Sequence, residues 1–125
     1  MEKSILGLRT CIYKVGDLQK AKEWYATVFE TPPYFDEVFY VGFNIGGYEL
    51  GLQPEENVSG EKVSTVLAYW GVKEINKEFQ KFIEHGATEH EAPTNVGGEL
   101  MVASVKDPWG NLIGLIYNPY FEIKD

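Results

Sequence analysis

Apolar and polar residues follow a helical period in two stretches of the chain. Between residues 18 and 29 the apolar side chains recur every three to four positions, which predicts an amphipathic helix. Asp17 is a good N-cap for it, and Pro32 prevents its continuation. A second stripe, over residues 75–83, precedes Gly86, which closes a helix without steric cost.

Strand-like stretches follow each predicted helix. The first hairpin turns at Gly46-Gly47, where glycine supplies the positive φ that a two-residue turn needs. The second turns at residues 107–111, Asp-Pro-Trp-Gly-Asn, a sequence of turn-forming residues. The strands predicted after the helices are residues 34–36, 39–45 and 48–52 in the first half, and residues 88–91, 100–106 and 112–117 in the second.

The chain also contains an internal repeat. Thr10–Leu18 and Leu67–Ile75 are both strand-like runs that end in Val, followed by a break, an acidic residue and a large aliphatic residue. A repeat of about half the chain predicts two copies of one unit, strand–helix–three strands. We therefore divide a single domain, residues 1–125, as follows: module one 5–53, a polar linker 54–62, module two 63–118 and an aromatic tail 119–125.

Composition and charge narrow the classes of partner. The 125 residues suffice for one compact domain. Eleven Lys and Arg against nineteen Asp and Glu give a net charge of −8. Such a surface repels phosphate, so nucleic acid and anionic membranes are poor partners, whereas a cationic small molecule would be attracted.

Cysteine usage and the first residues favour the cytoplasm. The single cysteine, Cys11, cannot form an internal disulfide, and we expect it to pack as a small hydrophobic residue. The apolar stretch at residues 5–8 is too short for a signal peptide or a membrane span.

The repeat from Thr10 to Leu18, the Gly-Gly hairpin and the turn that begins at Asp107 together resemble the vicinal oxygen chelate superfamily. That superfamily includes glyoxalase I, bleomycin-resistance proteins, fosfomycin-resistance enzymes and extradiol dioxygenases. The resemblance covers residues 5 to 118. It implies an α+β fold in which paired βαβββ modules form an incomplete barrel around a ligand cleft, often in a homodimer.

Enzymes of the superfamily bind a divalent metal through His, Glu or Gln side chains from four strands. The positions that the resemblance carries over are Thr10, Glu49, Leu67 and Gly114 or Leu115. Among them only Glu49 is a usual metal ligand, with Gln53 nearby as a substitute. Because a catalytic site needs about three protein ligands, we expect no metal cofactor.

The two histidines do not restore a metal site. His85 falls in the last turn of the second predicted helix, where a positive charge suits the helix dipole. His90 lies in a short polar segment that we expect to be solvated.

The carried-over positions and strand alternation predict a set of ligand-binding residues. Alternation places Tyr69 in the cleft and Trp70 under the helices. The predicted ligand-binding residues are Thr10, Glu49, Gln53, Leu67, Tyr69, Trp109 and Gly114. They would line a partly apolar site with one negative charge, as small-molecule sites often are.

Three of these residues also have structural interpretations. Trp109 occupies a turn, where it covers a ligand, covers a dimer contact or simply packs. Glu49 is alternatively an exposed carboxylate or one paired with Arg9. Gly114 is alternatively a close-packing position where strands curl.

Three functions follow. The favoured one is metal-independent binding of a cationic or aromatic small molecule, of the resistance or sensing type. The alternative is an enzyme of the glyoxalase or dioxygenase type, a lyase or oxidoreductase, with an unusual metal site or none and Glu49 as general base. The sequence shows no partner for Glu49, which disfavours that role. The third is an interaction protein whose aromatic segment, residues 117–121, docks on a partner or a second subunit.

Overall fold

The chain folds as two copies of the same order of elements. The computed structural model describes residues 4–56, 62 and 66–121. It divides into two units, residues 1–58 and residues 59–125.

The first unit contains one helix and a four-stranded sheet. Its elements are β1 (Thr10–Val15), α1 (Leu18–Val28), β2 (Phe35–Glu37), β3 (Tyr40–Ile45) and β4 (Tyr48–Pro54). The strand order is β1-β4-β3-β2. β1 runs parallel to β4, whereas the other neighbours are antiparallel.

The second unit repeats this plan. Its elements are β5 (Tyr69–Gly71), α2 (Ile75–Glu84), β6 (Thr88–Gly97), β7 (Leu100–Lys106) and β8 (Leu112–Tyr117). The order β5-β8-β7-β6 and the single parallel pair, β5 with β8, match the first unit. The predicted α+β fold with paired βαβββ modules is confirmed, and both four-stranded sheets are open.

The predicted turn and cap residues act as their chemistry requires. The Asp17 carboxylate accepts a hydrogen bond from the Lys20 backbone N–H at 3.1 Å and so caps α1. The φ angles of Gly46 and Gly47 are 59° and 93°, and that of Gly86 is 100°. Residues with a Cβ rarely adopt these backbone angles, so glycine is favoured both at the hairpin and at the helix end.

Several boundaries differ from the predictions. β6 was predicted over residues 88–91 but extends to Gly97. Its pairing with β7 contains register shifts, so the strand continues past positions where the simple alternation of side chains is broken. β5 has only three residues, so Leu67 precedes it and is not a strand residue. Pro54, assigned to the linker, ends β4, and linker residues 57–61 lie outside the described residues.

One face of each sheet packs on its helix. Because side chains alternate across a strand, the same strands leave their other face uncovered by that helix. The buried core of the first unit includes Tyr13, Val15, Ala21, Tyr25, Val28, Val41, Phe43, Leu50 and Leu52. That of the second includes Ile75, Phe79, Phe82, Ala103, Val105, Ile113 and Leu115. Neither described helix has the length and apolar character to cross a bilayer.

Candidate functional site

The candidate site lies on the sheet face of the first unit that α1 does not cover. On β4, Leu50 and Leu52 are fully buried on the helix side. Alternation therefore puts Glu49, Gly51 and Gln53 on the opposite face. Glu49 is half-buried there.

Three hydroxyl groups converge on the Glu49 carboxylate. Thr10, its register partner on β1, donates from Oγ1 to Oε1 at 3.1 Å. Tyr34 donates its hydroxyl to Oε2 at 2.5 Å. The Tyr40 hydroxyl, from the neighbouring strand β3, donates a third hydrogen bond to the carboxylate. Glu49 is thus the acceptor at the centre of a small polar network.

Two facing glycines make room for the tyrosines. Gly42 of β3 and Gly51 of β4 are register partners. A Cβ on Gly42 would lie 2.9 Å from Oε2 of Glu49 and 3.1 Å from Cε1 of Tyr34, and one on Gly51 would lie 2.6 Å from Cζ of Tyr40. The aromatic rings therefore lie against bare backbone, an arrangement that also covers the glycines.

Two further aromatic side chains, Phe35 and Phe39, lie on the Tyr40 side of this network. The ring of Phe35 lies 6.1 Å from that of Tyr40 and 6.1 Å from that of Phe39, measured between centroids. Tyr34 is 63% exposed and Phe39 is 62% exposed. A carboxylate and exposed aromatic rings are two features that attract an organic cation.

The hydrogen bonds fix the protonation states of the network. Donation by Tyr34, with smaller contributions from Tyr40 and Thr10, lowers the pKa of Glu49 against the effect of burial. Burial and the bond to Glu49 raise the pKa of Tyr40 to about 12. The bond to Glu49 also raises the pKa of Tyr34. At neutral pH the carboxylate is charged and the phenols remain neutral donors.

These contacts correct two expectations about Glu49. The guanidinium of Arg9 donates to the backbone carbonyls of Leu6, at 2.9 Å, and Leu8, so the proposed Arg9–Glu49 pair is wrong. The sequence shows no partner for Glu49, and the structure supplies three, the hydroxyls of Thr10, Tyr34 and Tyr40. Strand alternation could have found one of these partners, because Tyr40 lies two residues before Gly42 on β3 and so shares its sheet face.

Gln53 lies on the same face of β4 as Glu49, but it lines a surface depression that does not include Glu49. That depression has a volume of about 470 Å³ and is lined by Lys14, Gln53, Pro54, Glu55 and Glu56. The structure therefore brings Thr10 and Glu49 together and leaves Gln53 outside the hydroxyl network.

The remaining predicted ligand-binding residues lie in the second unit. Tyr69 is 43% exposed and its ring covers Gly114, its register partner. A Cβ on Gly114 would lie 2.7 Å from the Ala68 carbonyl oxygen and 2.7 Å from Cδ1 of Tyr69. The close-packing interpretation thus accounts for Gly114. Leu67 is half-buried ahead of β5.

The registers of the two units show how Glu49 relates to the repeat. Gly51 pairs with Ile12 on β1, and Gly114 pairs with Tyr69, the residue 57 positions after Ile12. Gly114 therefore corresponds to Gly51. The counterpart of Glu49, two residues earlier in its strand, is Leu112, so the second unit has no carboxylate at that place.

The donor set around Glu49 does not fit a divalent metal. One carboxylate and neutral hydroxyls fall short of the three strong ligands that such a site needs. Within residues 4–56, 62 and 66–121, no group of three or more His, Cys, Asp or Glu side chains could hold a metal ion.

Hydrogen bonds to the Asp107 side chain stabilise the Asp-Pro-Trp-Gly-Asn turn between β7 and β8. The Asp107 carboxylate is buried and accepts hydrogen bonds from the backbone N–H groups of Trp109, at 2.8 Å, and Asn111, at 2.7 Å. It also accepts the Asn111 side-chain amide at 2.9 Å. These bonds satisfy the turn's backbone donors, and they leave Trp109 half-buried in the turn.

The histidines and the cysteine take structural positions. The His85 ring donates to the Lys81 carbonyl at 2.8 Å at the end of α2. His90 is exposed, as expected, but its Nδ1 shares a hydrogen bond of 2.8 Å with the buried hydroxyl of Ser104. Burial raises the pKa of Cys11, which favours the protonated thiol.

Two βαβββ units, the first with a candidate small-molecule site on the sheet face opposite its helix, define the fold class of this protein. Residues 7–115 match the model of the Glyoxalase/Bleomycin resistance protein/Dioxygenase superfamily. The chain belongs to that family. No curated protein matches its sequence.

Solved structures share the fold at low sequence identity. A glyoxalase-related enzyme from Fulvimarina pelagi is 16% identical, with a TM-score of 0.77, over 96% of this chain and 94% of its own. A glyoxalase/bleomycin resistance protein/dioxygenase family enzyme from Burkholderia phytofirmans PsJN is 18% identical, with a TM-score of 0.76, over 90% and 98%. The genomically encoded fosfomycin resistance protein of Listeria monocytogenes is 16% identical, with a TM-score of 0.73, over 95% and 97%.

Proposed function

We propose that this protein binds a small cationic molecule on the open face around Glu49, without a metal ion, in a resistance or sensing role. The observation that carries the proposal is a carboxylate held ionised by three hydroxyl donors and bordered by exposed aromatic rings. The net charge of −8 supports it, because such a charge raises the local concentration of cations.

The expected affinity of this face alone is modest. A unit charge about 4 Å from a carboxylate gains about 1 kcal/mol in water and up to about 4 kcal/mol near a protein surface. A cation–π contact adds about 0.5–1 kcal/mol at an exposed site. Together these amount to about 1.5–5 kcal/mol, which corresponds to a dissociation constant between about 80 mM and about 0.2 mM for a simple cation.

The same contacts disfavour the enzymatic alternative. A general base works best when its pKa lies near the working pH. The hydroxyl donors move the pKa of Glu49 in the opposite direction. A lyase or oxidoreductase mechanism with Glu49 as base would therefore have to remove those donors first.

Titration with benzyltrimethylammonium tests the proposal. We expect saturable binding by calorimetry and chemical-shift changes at the Gly42 and Gly51 amides, which lie under the site. Glu49→Gln should weaken binding about tenfold, a loss of about 1.4 kcal/mol. Glu23→Gln changes the net charge equally but on the exposed surface of α1, so it should have little effect.

Equal effects of the two variants, or shifts confined to the second unit, would rule the site out. Treatment with EDTA should leave the titration unchanged. Purified protein that contains one Ni, Zn, Mn or Fe per chain and loses binding when that metal is removed would contradict metal independence.

A further inference from the structure

We propose that the site around Glu49 selects cations without N–H donors, such as quaternary ammonium groups, over primary ammonium and guanidinium groups, and that the Tyr34 hydroxyl determines this choice. The inference rests on the proposed function and names its ligand class. Its basis is that the protein already occupies three of the roughly four hydrogen-bonding positions of the carboxylate.

The accepting capacity of Glu49 is largely used. An ionised carboxylate offers about four lone-pair positions on its two oxygens. Oε1 accepts from Thr10, Oε2 accepts from Tyr34, and Tyr40 donates the third bond. A guanidinium binds a carboxylate best through two parallel N–H···O bonds, which require both oxygens. It would have to displace at least one hydroxyl.

A quaternary ammonium group makes no such demand. Its charge is spread over methyl groups that donate no conventional hydrogen bond, so it interacts through Coulomb attraction and contact with aromatic faces. Both are available here, because Tyr34, which donates to the carboxylate, is 63% exposed, and Phe35, whose ring lies 6.1 Å from that of Tyr40, is 39% exposed. The hydroxyl network stays intact when such a cation approaches.

The backbone fixes Tyr34 in this role. Its N–H donates to the Gly42 carbonyl at 2.9 Å, which ties the residue to the edge of β3. Its ring lies over Gly42, where a Cβ would come within 3.1 Å of the ring. Tyr34 is therefore a specificity-determining residue whose hydroxyl occupies an acceptor position on Oε2 of Glu49 that a ligand donor would otherwise use.

Three benzyl cations that differ only in the charged group test the selectivity: benzyltrimethylammonium, benzylammonium and benzylguanidinium. We expect the unaltered protein to bind benzyltrimethylammonium about fivefold or more tightly than the other two. Tyr34→Phe keeps the ring and removes the hydroxyl. It should strengthen benzylguanidinium binding about tenfold, or about 1.4 kcal/mol, and change benzyltrimethylammonium affinity less than about twofold.

Tyr48→Phe is the matched control, because Tyr48 is on the same strand as Glu49 but on the alternate side. It should leave all three affinities unchanged. If benzyltrimethylammonium binds at Gly42 and Gly51 but Tyr34→Phe leaves the order of affinities unchanged, the selectivity inference is wrong and the proposed function stands. If none of the three cations binds, both fail.

Discussion

At the residue scale, the chemistry of Glu49 is set by its neighbours. A lone strand carboxylate would be an ordinary solvated acid, but here three hydroxyls stabilise its charged form and lower its pKa. The same bonds raise the pKa values of Tyr34 and Tyr40. The residue is thereby suited to hold a permanent negative charge and less suited to transfer protons.

The lowered pKa predicts how binding depends on pH. The carboxylate keeps its charge above its ordinary pKa of 4.5 and loses it only as the pH falls through a lower value. Affinity for benzyltrimethylammonium should therefore be constant from about pH 8 to about pH 5 and decrease below that. Calorimetric titrations across this range check it, and Glu49→Gln should show no decrease. A midpoint near neutral pH would contradict the lowered pKa.

Only some residues of the network around Glu49 can be identified from the sequence. Thr10 and Glu49 are found from the resemblance and from strand alternation, and the structure joins them directly. Tyr34 precedes its strand, so no periodic pattern assigns it to a face. Its hydroxyl reaches Glu49 only because the chain between residues 29 and 40 folds β2 back against β3.

At the scale of elements, the pairing of β3 with β4 builds the site. The register aligns Gly42 with Gly51, and each glycine accommodates one tyrosine ring. A shift of one residue would turn Glu49 toward α1 and the core leucines toward solvent. Register thus decides the position of the carboxylate and the stability of the unit together.

A side chain in the space above the facing glycines, Gly42 and Gly51, should lower the stability of the protein. Gly51→Ala places a methyl group against the Tyr40 ring, and we expect about 1–3 kcal/mol of destabilisation. Gly71→Ala is the control, since nothing lies within 4 Å of its added Cβ, and it should change stability by less than about 0.5 kcal/mol. Urea denaturation measures both. Equal stabilities would show that the ring moves aside freely.

At the scale of the whole molecule, we expect the net charge to favour the approach of the proposed cationic ligand. The charge of −8 acts over distances that salt shortens, from a Debye length of about 30 Å at 0.01 M to about 8 Å at 0.15 M.

The homodimer and the cytoplasmic location that the sequence indicates stay predictions.

Raising the ionic strength over that range should weaken benzyltrimethylammonium binding severalfold, because screening removes the long-range attraction. Uncharged benzyl alcohol serves as the control and should be insensitive to salt. Titrations in buffers that differ only in NaCl concentration provide the comparison. If salt has no effect on the cation, contact with aromatic rings alone supports the binding.

The sequence alone determined the order of elements, both tight turns, the helix caps and the family, because these depend on local chemistry: periodicity, glycine at positive φ, and a repeat of the same strand–helix signal. It also determined that Glu49 alone among the carried-over metal positions is a usual metal ligand. Only the tertiary structure decided that the Glu49 carboxylate is shared by three hydroxyls. Those residues come from separate segments of the chain, and their meeting depends on strand register and on the space above two facing glycines.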